Sequence, residues 1–181
     1  MKKVVIIVCV VIAVGVVVVV GLGLVASLAV PGLERARQTG NEASAIGSLR
    51  AITSAQSIYT ATCGGVDFYS PSLSNLGTAP TSGGMSFISP DLGAADSVTK
   101  SGYVIAMGST TGPAADAPAS CNGLAAGRGT KGYYATATPA SAEMGTRAFA
   151  VNADGKIWFA EQTTPIRVAD HGQPAGAAEL K

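Results

Sequence analysis

The chain has 181 residues, with 12 Lys and Arg against 11 Asp and Glu, so its formal net charge is +1. This length favours one domain, and a charge near zero offers no basic surface for a phosphate backbone, so no nucleic-acid partner is expected. Charged residues are 13% of the sequence, whereas soluble domains typically contain about 25%. The composition therefore indicates that part of the chain lies in a non-aqueous environment.

The first predicted element is a long apolar segment. From Val4 to Val30 there is no charged residue, and the apolar run is interrupted only by Gly15, Gly21, Gly23 and Ser27. A helix of this length exceeds the bilayer hydrocarbon core, which is about 30 Å thick. We therefore expect residues 1–30 to form the transmembrane half of an N-terminal helix, in contact with the lipid bilayer. Its glycines would let a partner helix approach closely.

Two other interpretations of this segment remain open, although the pattern disfavours both. Lys2 and Lys3 followed by Ser27-Leu28-Ala29 are typical of a cleaved secretory signal, but the apolar run is longer than a signal core of about 7–15 residues. Gly21-x-Gly23-x-x-Ala26, with Glu42 further on, is similar to a dinucleotide-binding fingerprint. That fingerprint needs a short strand and a βαβ unit, which the surrounding sequence does not predict.

Residues 31–62 predict the amphipathic half of the same helix. The apolar stripe recurs at spacings of three and four, over Leu33, Ala36, Ala45, Ile46, Leu49, Ile52, Ala55, Gln56 and Tyr59. The other face carries Arg35, Gln38, Asn41, Glu42, Ser48 and Arg50, which we expect to meet solvent or a neighbouring subunit. Pro31 should kink the helix, and Gly40 and Gly47 each cost about 1 kcal/mol relative to Ala.

The order of residues in this helix is similar to that of a known family. Residues 31–50 read PGLERARQTGNEASAIGSLR after an apolar helix, and Gly145-Thr-Arg-Ala-Phe149 occurs near the end of the chain. Over residues 20–60, and more loosely beyond, the sequence resembles type IV pilins and type II secretion pseudopilins. The resemblance implies an α+β fold in which a long N-terminal helix packs its second half on a small antiparallel sheet.

The resemblance also implies a function and shows two departures from the family pattern. Family members are cleaved by a prepilin peptidase and stack their helices into filaments. Counting back from Pro31 places the family's leader glycine at Cys9 and its assembly glutamate at Val14, so neither residue is present. Without them, processing and filament assembly by the usual route are not expected.

The predicted location follows from charge and cysteine positions. Lys2 and Lys3 precede the apolar segment, while Arg35 and Arg37, partly offset by Glu34, follow it. This bias is weak, but cysteines in a Gly-rich region outside the membrane fit an oxidising compartment. We expect a single-pass protein of the bacterial inner membrane, with its N-terminus cytoplasmic and its head extracytoplasmic. An extracellular filament is the alternative.

Residues 63–164 predict a loop-rich β head. The stretch from Gly64 to about Gly102 is rich in Gly, Ser and Pro and is expected to contain little regular structure. Four antiparallel strands are predicted at Tyr103–Met107, Tyr133–Thr138, Arg147–Val151 and Lys156–Ala160, and Asp154-Gly155 favours a tight turn between the last two. Residues 165–181 predict a flexible tail.

A disulfide is predicted between Cys63, at the expected end of the helix, and Cys121, in the connector before the second strand. Such a crosslink would remove about 4 kcal/mol of unfolded-state entropy. The alternative of two free thiols stays open, because sequence does not show whether the two α-carbons lie within about 7 Å.

The inventory of reactive residues points away from catalysis. There is one histidine, His171, and no Gly-x-Ser-x-Gly, Cys-x-x-Cys or phosphate-loop motif, so we expect no catalytic residues, no cofactor and no metal. Asp91, Asp96 and Asp116 are interpreted as solvated charges, and Asn152 with Asp154 supplies too few oxygens for calcium, which takes about 6–8. Trp158, Tyr133, Tyr134 and Phe149 are interpreted as core residues rather than a binding platform.

Two functional hypotheses follow. The first is a structural pilin-like subunit that associates, through its N-terminal helix, with itself or with other pilin-like subunits. Helix packing and assembly are then assigned to Gly15, Gly21, Gly23, Pro31, Glu34, Arg35 and Arg37. The second is a non-assembling, membrane-tethered extracytoplasmic binding module with a pilin-like fold. An enzyme is not expected, because no nucleophile with its base can be assembled from these residues.

Overall fold

The computed structural model describes the backbone of residues 2–181, the exposure of Gly15 and the side chains of residues 32–181. The chain forms two compact units, residues 1–37 and residues 38–181. Among the described residues, no helix combines the length and apolar character needed to cross a bilayer. Apart from Gly15, the side chains of the apolar segment Val4–Val30, and the predicted kink at Pro31, lie outside the described residues.

Residues 2–181, whose backbone the structure describes, form two helices and six strands. Helix α1 covers Lys2–Thr62 and the short helix α2 covers Leu73–Leu76. The strands are β1 (Ser97–Lys100), β2 (Tyr103–Gly108), β3 (Tyr134–Pro139), β4 (Ala148–Asn152), β5 (Ile157–Ala160) and β6 (Ala178–Glu179). They form one antiparallel sheet in the order β1-β2-β3-β4-β5-β6. The α+β class and the four predicted strands are confirmed, and β1 and β6 add an edge on each side.

Local turn chemistry explains two of the hairpins. Ser101 and Gly102 connect β1 to β2 with φ angles of 47° and 74°. Two consecutive positive φ angles match the right-handed twist of the flanking strands. Gly155, with a φ of 75°, lies in the turn between β4 and β5, so the tight turn predicted from Asp154-Gly155 is confirmed.

The main core lies between one face of α1 and one face of the sheet. The buried residues of α1 recur at helical spacing and are Ala45, Leu49, Ile52, Ala55, Gln56 and Tyr59. They lie against a buried cluster that includes Tyr103, Ile105, Phe149 and Val151 of the sheet. The predicted stripe is therefore confirmed from Ala45 to Tyr59.

For four residues of α1 the predicted face is wrong. Leu33 is 64% exposed and Ala36 is also exposed, so neither joins the core. Glu42 and Ser48, predicted to meet solvent, are 7% and 4% exposed. Both have polar partners that make burial tolerable, since Ser48 Oγ donates to the Ser44 carbonyl oxygen and Glu42 pairs with Arg147.

The region between Gly64 and Gly102 contains more regular structure than predicted, namely α2 and β1. Gln56 of α1 is fully buried and holds the start of this region. Its Nε2 donates to the Ser70 carbonyl oxygen at 2.8 Å, and its Oε1 accepts from Ser70 N at 2.9 Å. A buried side-chain amide thus supplies backbone pairing in a segment whose composition predicts loop.

The predicted disulfide between Cys63 and Cys121 is confirmed. Their α-carbons lie 4.8 Å apart, within the range that a disulfide spans. Cys121 N also donates to the Cys63 carbonyl oxygen at 3.3 Å. The end of α1 is therefore joined to the connector before β3 by a covalent bond and a hydrogen bond.

The predicted flexible tail is not what the structure shows for residues 165–181. Ile166 and Ala177 are buried with Ala148, Ala150 and Trp158 in a second apolar cluster on the other face of the sheet. Asp170 is 2% exposed, and β6 pairs with β5. The composition is misleading here because a few apolar side chains and one hydrogen-bonded carboxylate hold this Gly- and Pro-containing segment on the sheet.

Candidate assembly surface

The exposed side of α1 within residues 38–181 carries small side chains at helical spacing. We call this surface the α1 outer face, and it consists of Gly40, Ala43, Gly47, Ala51, Ser54, Ile58 and Ala61. Successive members lie three or four positions apart, so they form one stripe along the helix. It faces away from the core-forming stripe, because the two sets alternate in the 3.6-residue repeat.

The glycines of the α1 outer face are not required by packing within the subunit. A Cβ added at Gly40 or Gly47 would meet no described atom within 4 Å. Ile58, the only large side chain of the set, is 49% exposed. The α1 outer face therefore has few protruding side chains, is largely uncharged and is open to a neighbour.

Two hollows flank this face. One, of about 530 Å³, lies between α1 and the β5–β6 edge and is lined by Arg50, Ser54, Ile58, Lys156 and Glu179, among others. The other, of about 470 Å³, lies beside the loop of residues 85–90, and its wall includes Ala51, Ser54, Ile58 and Met85. The Met85 side chain is 90% exposed. Because Ser54 and Ile58 line both hollows, the α1 outer face is a ridge with a depression on either side.

Charge in the first hollow is partly neutralised within the chain. Lys156 Nζ lies 2.9 Å from Glu179 Oε2, and this hydrogen bond raises the pKa of Lys156. Arg50 forms no ion pair with any described side chain. Its guanidinium therefore remains available at the border of the ridge.

A row of polar side chains fixes α1 to the loops at one end of the sheet. Gln38 Nε2 donates to the Ala142 carbonyl oxygen at 3.2 Å, and Asn41 Nδ2 donates to the Met144 carbonyl oxygen at 3.0 Å. Ser44 Oγ donates to Ser101 Oγ at 2.9 Å. Because these hydrogen bonds hold the polar positions of α1 against the loops of the sheet, they determine which side of the helix remains exposed.

The strongest member of that row is the pair of Glu42 and Arg147. Arg147 Nε donates to Glu42 Oε2 at 3.0 Å, and its Nη2 donates to the same oxygen. The hydrogen bonds that Arg147 donates to Glu42 raise the pKa of Arg147. Sequence reasoning misses this pair, although both residues lie in the motifs that carry the family resemblance.

The residues predicted for assembly are only partly described. Gly15 is exposed, and a Cβ there would meet no described atom within 4 Å. Gly21, Gly23 and Pro31 lie outside the residues whose exposure and surroundings the structure describes. Glu34, Arg35 and Arg37 are exposed residues of the unit formed by residues 1–37. The structure adds the α1 outer face, which the sequence pattern does not single out.

The carboxylates considered as reactive candidates have partners in the protein. Asp91 lies 2.6 Å from Lys100 Nζ, and this hydrogen bond lowers the pKa of Asp91 to about 2. Lys131 likewise lowers the pKa of Asp116, and Ser74 lowers that of Asp96 through a side-chain hydrogen bond. These contacts are those of surface charges and loop supports.

The side-chain oxygens of Asn152 and Asp154 take part in hydrogen bonds within the protein. Asp154 accepts from Gly172 N at 2.7 Å and lies 3.0 Å from His171 Nδ1. Asn152 is fully buried, and its Oδ1 accepts from Asp154 N at 3.1 Å. Among the described residues, no group of three His, Cys, Asp or Glu residues could hold a metal ion.

The aromatic residues divide between core and surface. Tyr133, Phe149 and Trp158 are each no more than 2% exposed, as their interpretation as core residues predicts. Tyr134 is half-buried and lines a third hollow, of about 660 Å³, on the sheet face opposite α1. The prediction of a core role is therefore wrong for Tyr134, because the alternation of the strand turns it toward the less covered face.

Comparisons of this chain with protein-family models, with curated proteins and with solved structures give no significant match.

Proposed function

We propose that the protein is a membrane-anchored, pilin-like structural subunit that acts by helix–helix association in a filament or secretion-type assembly. Its partners are copies of itself or other pilin-like subunits. In this proposal the head is extracytoplasmic, and Val4–Val30 anchors the chain in the bacterial inner membrane. The observation that carries the proposal is the α1 outer face, with its small residues at three- and four-residue spacing.

Helix energetics support a role for this face in association. A glycine inside a helix costs about 1 kcal/mol relative to alanine. Gly40 and Gly47 have room for a side chain, so packing within the described subunit does not account for them. Small residues let two helix backbones approach closely, and the van der Waals attraction between the two backbones would offset this intrinsic cost.

The surroundings of the face also suit a neighbouring helix. The α1 outer face is a ridge with a depression on each side, and side chains of a second helix can insert into these depressions. The exposed apolar side chains of Ile58 and Met85 line one of these depressions, where a neighbouring helix would remove them from water. The disulfide between Cys63 and Cys121 is consistent with an oxidising extracytoplasmic compartment.

The alternative is a membrane-tethered binding module that does not assemble. It is favoured by Cys9 and Val14, which replace the leader glycine and assembly glutamate of the family that the sequence resembles. It is also favoured by the 660 Å³ hollow on the sheet face opposite α1. The two functions differ in whether subunits contact one another through the α1 outer face.

Cysteine crosslinking in bacterial membranes tests the proposal. We would express the full chain with Ala51→Cys, in a Cys9→Ala background, and treat intact cells with a short thiol-reactive bifunctional reagent. We expect a crosslinked dimer on non-reducing gels, which is the largest product that one free thiol per subunit can give. Ala115→Cys is the matched control, because Ala115 is also exposed but lies in the loop before β3.

A second substitution tests the surface itself. Gly47→Arg, added to the Ala51→Cys chain, should abolish the crosslinked dimer while leaving the subunit folded, because nothing described lies within 4 Å of its Cβ. An equal yield of dimer from Ala115→Cys, or a dimer that persists with Gly47→Arg, would contradict the proposal. A protein that stays monomeric in the membrane fraction, and is missing from sheared surface fractions, would support the tethered binding module instead.

A further inference from the structure

The sheet face opposite α1 is only partly covered. Trp158, Ile166 and Ala177 form a buried cluster there with the alanines of β4. Beside this cluster, Ala106 of β2 lies directly across from Thr136 of β3. Because both side chains are small, the sheet surface stays low at this point, and a hollow of about 660 Å³ opens between these strands and residues 165–169.

The hollow is mainly apolar but has two polar groups without partners among the described residues. Arg167 forms no ion pair with any described side chain, whereas Lys100, Lys131, Arg147 and Lys156 each have a carboxylate within 3.0 Å. The Tyr134 hydroxyl makes no hydrogen bond with any described group. Both residues line the hollow, where Ile166 and Val168 supply apolar wall.

The nearest acidic residue in sequence does not serve Arg167. Asp170 uses its carboxylate to accept hydrogen bonds from Ser109 Oγ, Thr110 N and Thr111 N, at 2.8, 2.8 and 3.0 Å. It is 2% exposed and closed off by these donors. The hollow therefore keeps a positive charge beside apolar surface, a combination typical of ligand sites with a few orienting polar groups.

We propose that this hollow binds a small organic acid, with an apolar body and one carboxylate. The carboxylate pairs with the Arg167 guanidinium, whose planar donors match its two oxygens. The Tyr134 hydroxyl donates a further hydrogen bond to it. The apolar body rests on Ala106 and Thr136, against Ile166. This site lies on the sheet face opposite α1 and does not depend on the helix association proposed above.

Calorimetric titration of the full chain in lipid nanodiscs tests the site, with empty nanodiscs as the blank. The probes are 3-phenylpropanoate and benzoate, compared with their neutral amides, which have the same shape. We expect saturable binding of at least one acid in the millimolar range or tighter. The amide and the Arg167→Gln variant should each bind about tenfold more weakly, since each lacks the charged hydrogen bonds.

Two further variants distinguish binding in this hollow from binding elsewhere on the protein. Ala106→Leu should fill the hollow and abolish binding, whereas Arg50→Gln, which alters the exposed arginine of the 530 Å³ hollow, should leave it unchanged. Near-ultraviolet circular dichroism verifies that each variant is folded. If Ala106→Leu does not fold, the binding measured for Arg167→Gln alone tests whether the acid occupies this hollow. The proposal is overturned if neither acid binds saturably, if acid and amide bind equally, or if Arg50→Gln weakens binding as much as Arg167→Gln.

Discussion

Glu42 and Arg147 lie 105 positions apart in the chain and meet in an ion pair, with Arg147 Nε 3.0 Å from Glu42 Oε2. Thr146 N also approaches the other carboxylate oxygen, at 3.4 Å. Next to this pair, the Tyr103 hydroxyl donates to the Arg147 carbonyl oxygen at 2.9 Å. The contact joins the Asn-Glu-Ala segment of α1 to the Gly-Thr-Arg-Ala-Phe segment before β4, so it fixes the helix on the sheet.

Arg147→Met is expected to lower the free energy of unfolding by about 2–3 kcal/mol, because it leaves the carboxylate of Glu42 buried without its cation. The Glu42 side chain is 9% exposed and that of Arg147 31%, so the loss stays below that of a fully buried pair. Urea unfolding of the detergent-solubilised chain, followed by Trp158 fluorescence, measures it. In the matched control, Glu42→Gln combined with Arg147→Met should be more stable than Arg147→Met alone. Equal stability of the two would show that the charge pairing is unimportant.

Gly47→Ala should stabilise the head by about 0.5–1 kcal/mol, because alanine is the better helix former and the added methyl enters open space. Gly64→Ala is the contrasting change, since its Cβ would lie 2.7 Å from the Phe68 carbonyl oxygen and would also collide with the ring of Tyr59. It should destabilise by about 1–3 kcal/mol. The same urea titration measures both variants, and a destabilising Gly47→Ala would contradict the assignment of an open site.

Periodicity is sufficient to predict the elements that are long or strongly alternating. The buried residues from Ala45 to Tyr59 recur at helical spacing, and β2 alternates buried and half-buried residues, so both leave a clear repeat in the sequence. The other three central strands are recognised as short apolar runs rather than by alternation, since β4 is buried at every position. The β4–β5 turn is predictable because Asp154-Gly155 supplies a positive φ. Cys63 and Cys121 can be paired because they are the two cysteines outside the apolar segment.

The remaining features depend on contacts that no local pattern contains. The sequence places Glu42 in solvent because its cation is distant along the chain. Strand β1 has three polar residues out of four, and β6 has two residues, so neither forms an apolar run that the sequence would reveal. Leu33 resembles a core residue by type, yet it is 64% exposed. The α1 outer face is hard to recognise because small residues are weak signals until the buried side of the helix is known.

Replacing both Cys63 and Cys121 with Ser should lower the free energy of unfolding by about 4 kcal/mol, because a crosslink between distant residues restricts the unfolded chain. The two positions are separated by 58 in sequence, and the bond holds the end of α1 against the connector before β3. Urea titrations of the oxidised protein and of the double variant give the difference. Adding reductant should destabilise the native chain but not the variant, and a variant as stable as the oxidised protein would contradict the prediction.

Asp170 should make the stability of the head depend on acid pH. Burial by itself would raise the pKa of Asp170, but hydrogen bonds from Thr110 N, Ser109 Oγ and Thr111 outweigh it and lower the pKa. A carboxyl whose pKa is lower in the folded state contributes stability that is present above its unfolded pKa, about 3.9, and is lost as pH falls through the folded value. Asp170→Asn should therefore destabilise the protein at pH 7, by about 1–3 kcal/mol, and reduce the fall in stability below about pH 4.

The matched control for this change is Asp116→Asn, because Asp116 is an exposed carboxylate whose pKa is lowered by the hydrogen bond from Lys131. An exposed pair contributes little to stability, so the control should behave like the native chain at pH 7. Urea unfolding at a series of pH values down to the acid range gives both profiles. If Asp170→Asn left the profile unchanged, the hydrogen bonds from the loop of residues 109–111 would not stabilise the ionised carboxylate. Asp170→Asn is expected to destabilise the protein because the hydrogen bonds of Asp170 link residues 165–181 to the end of β2.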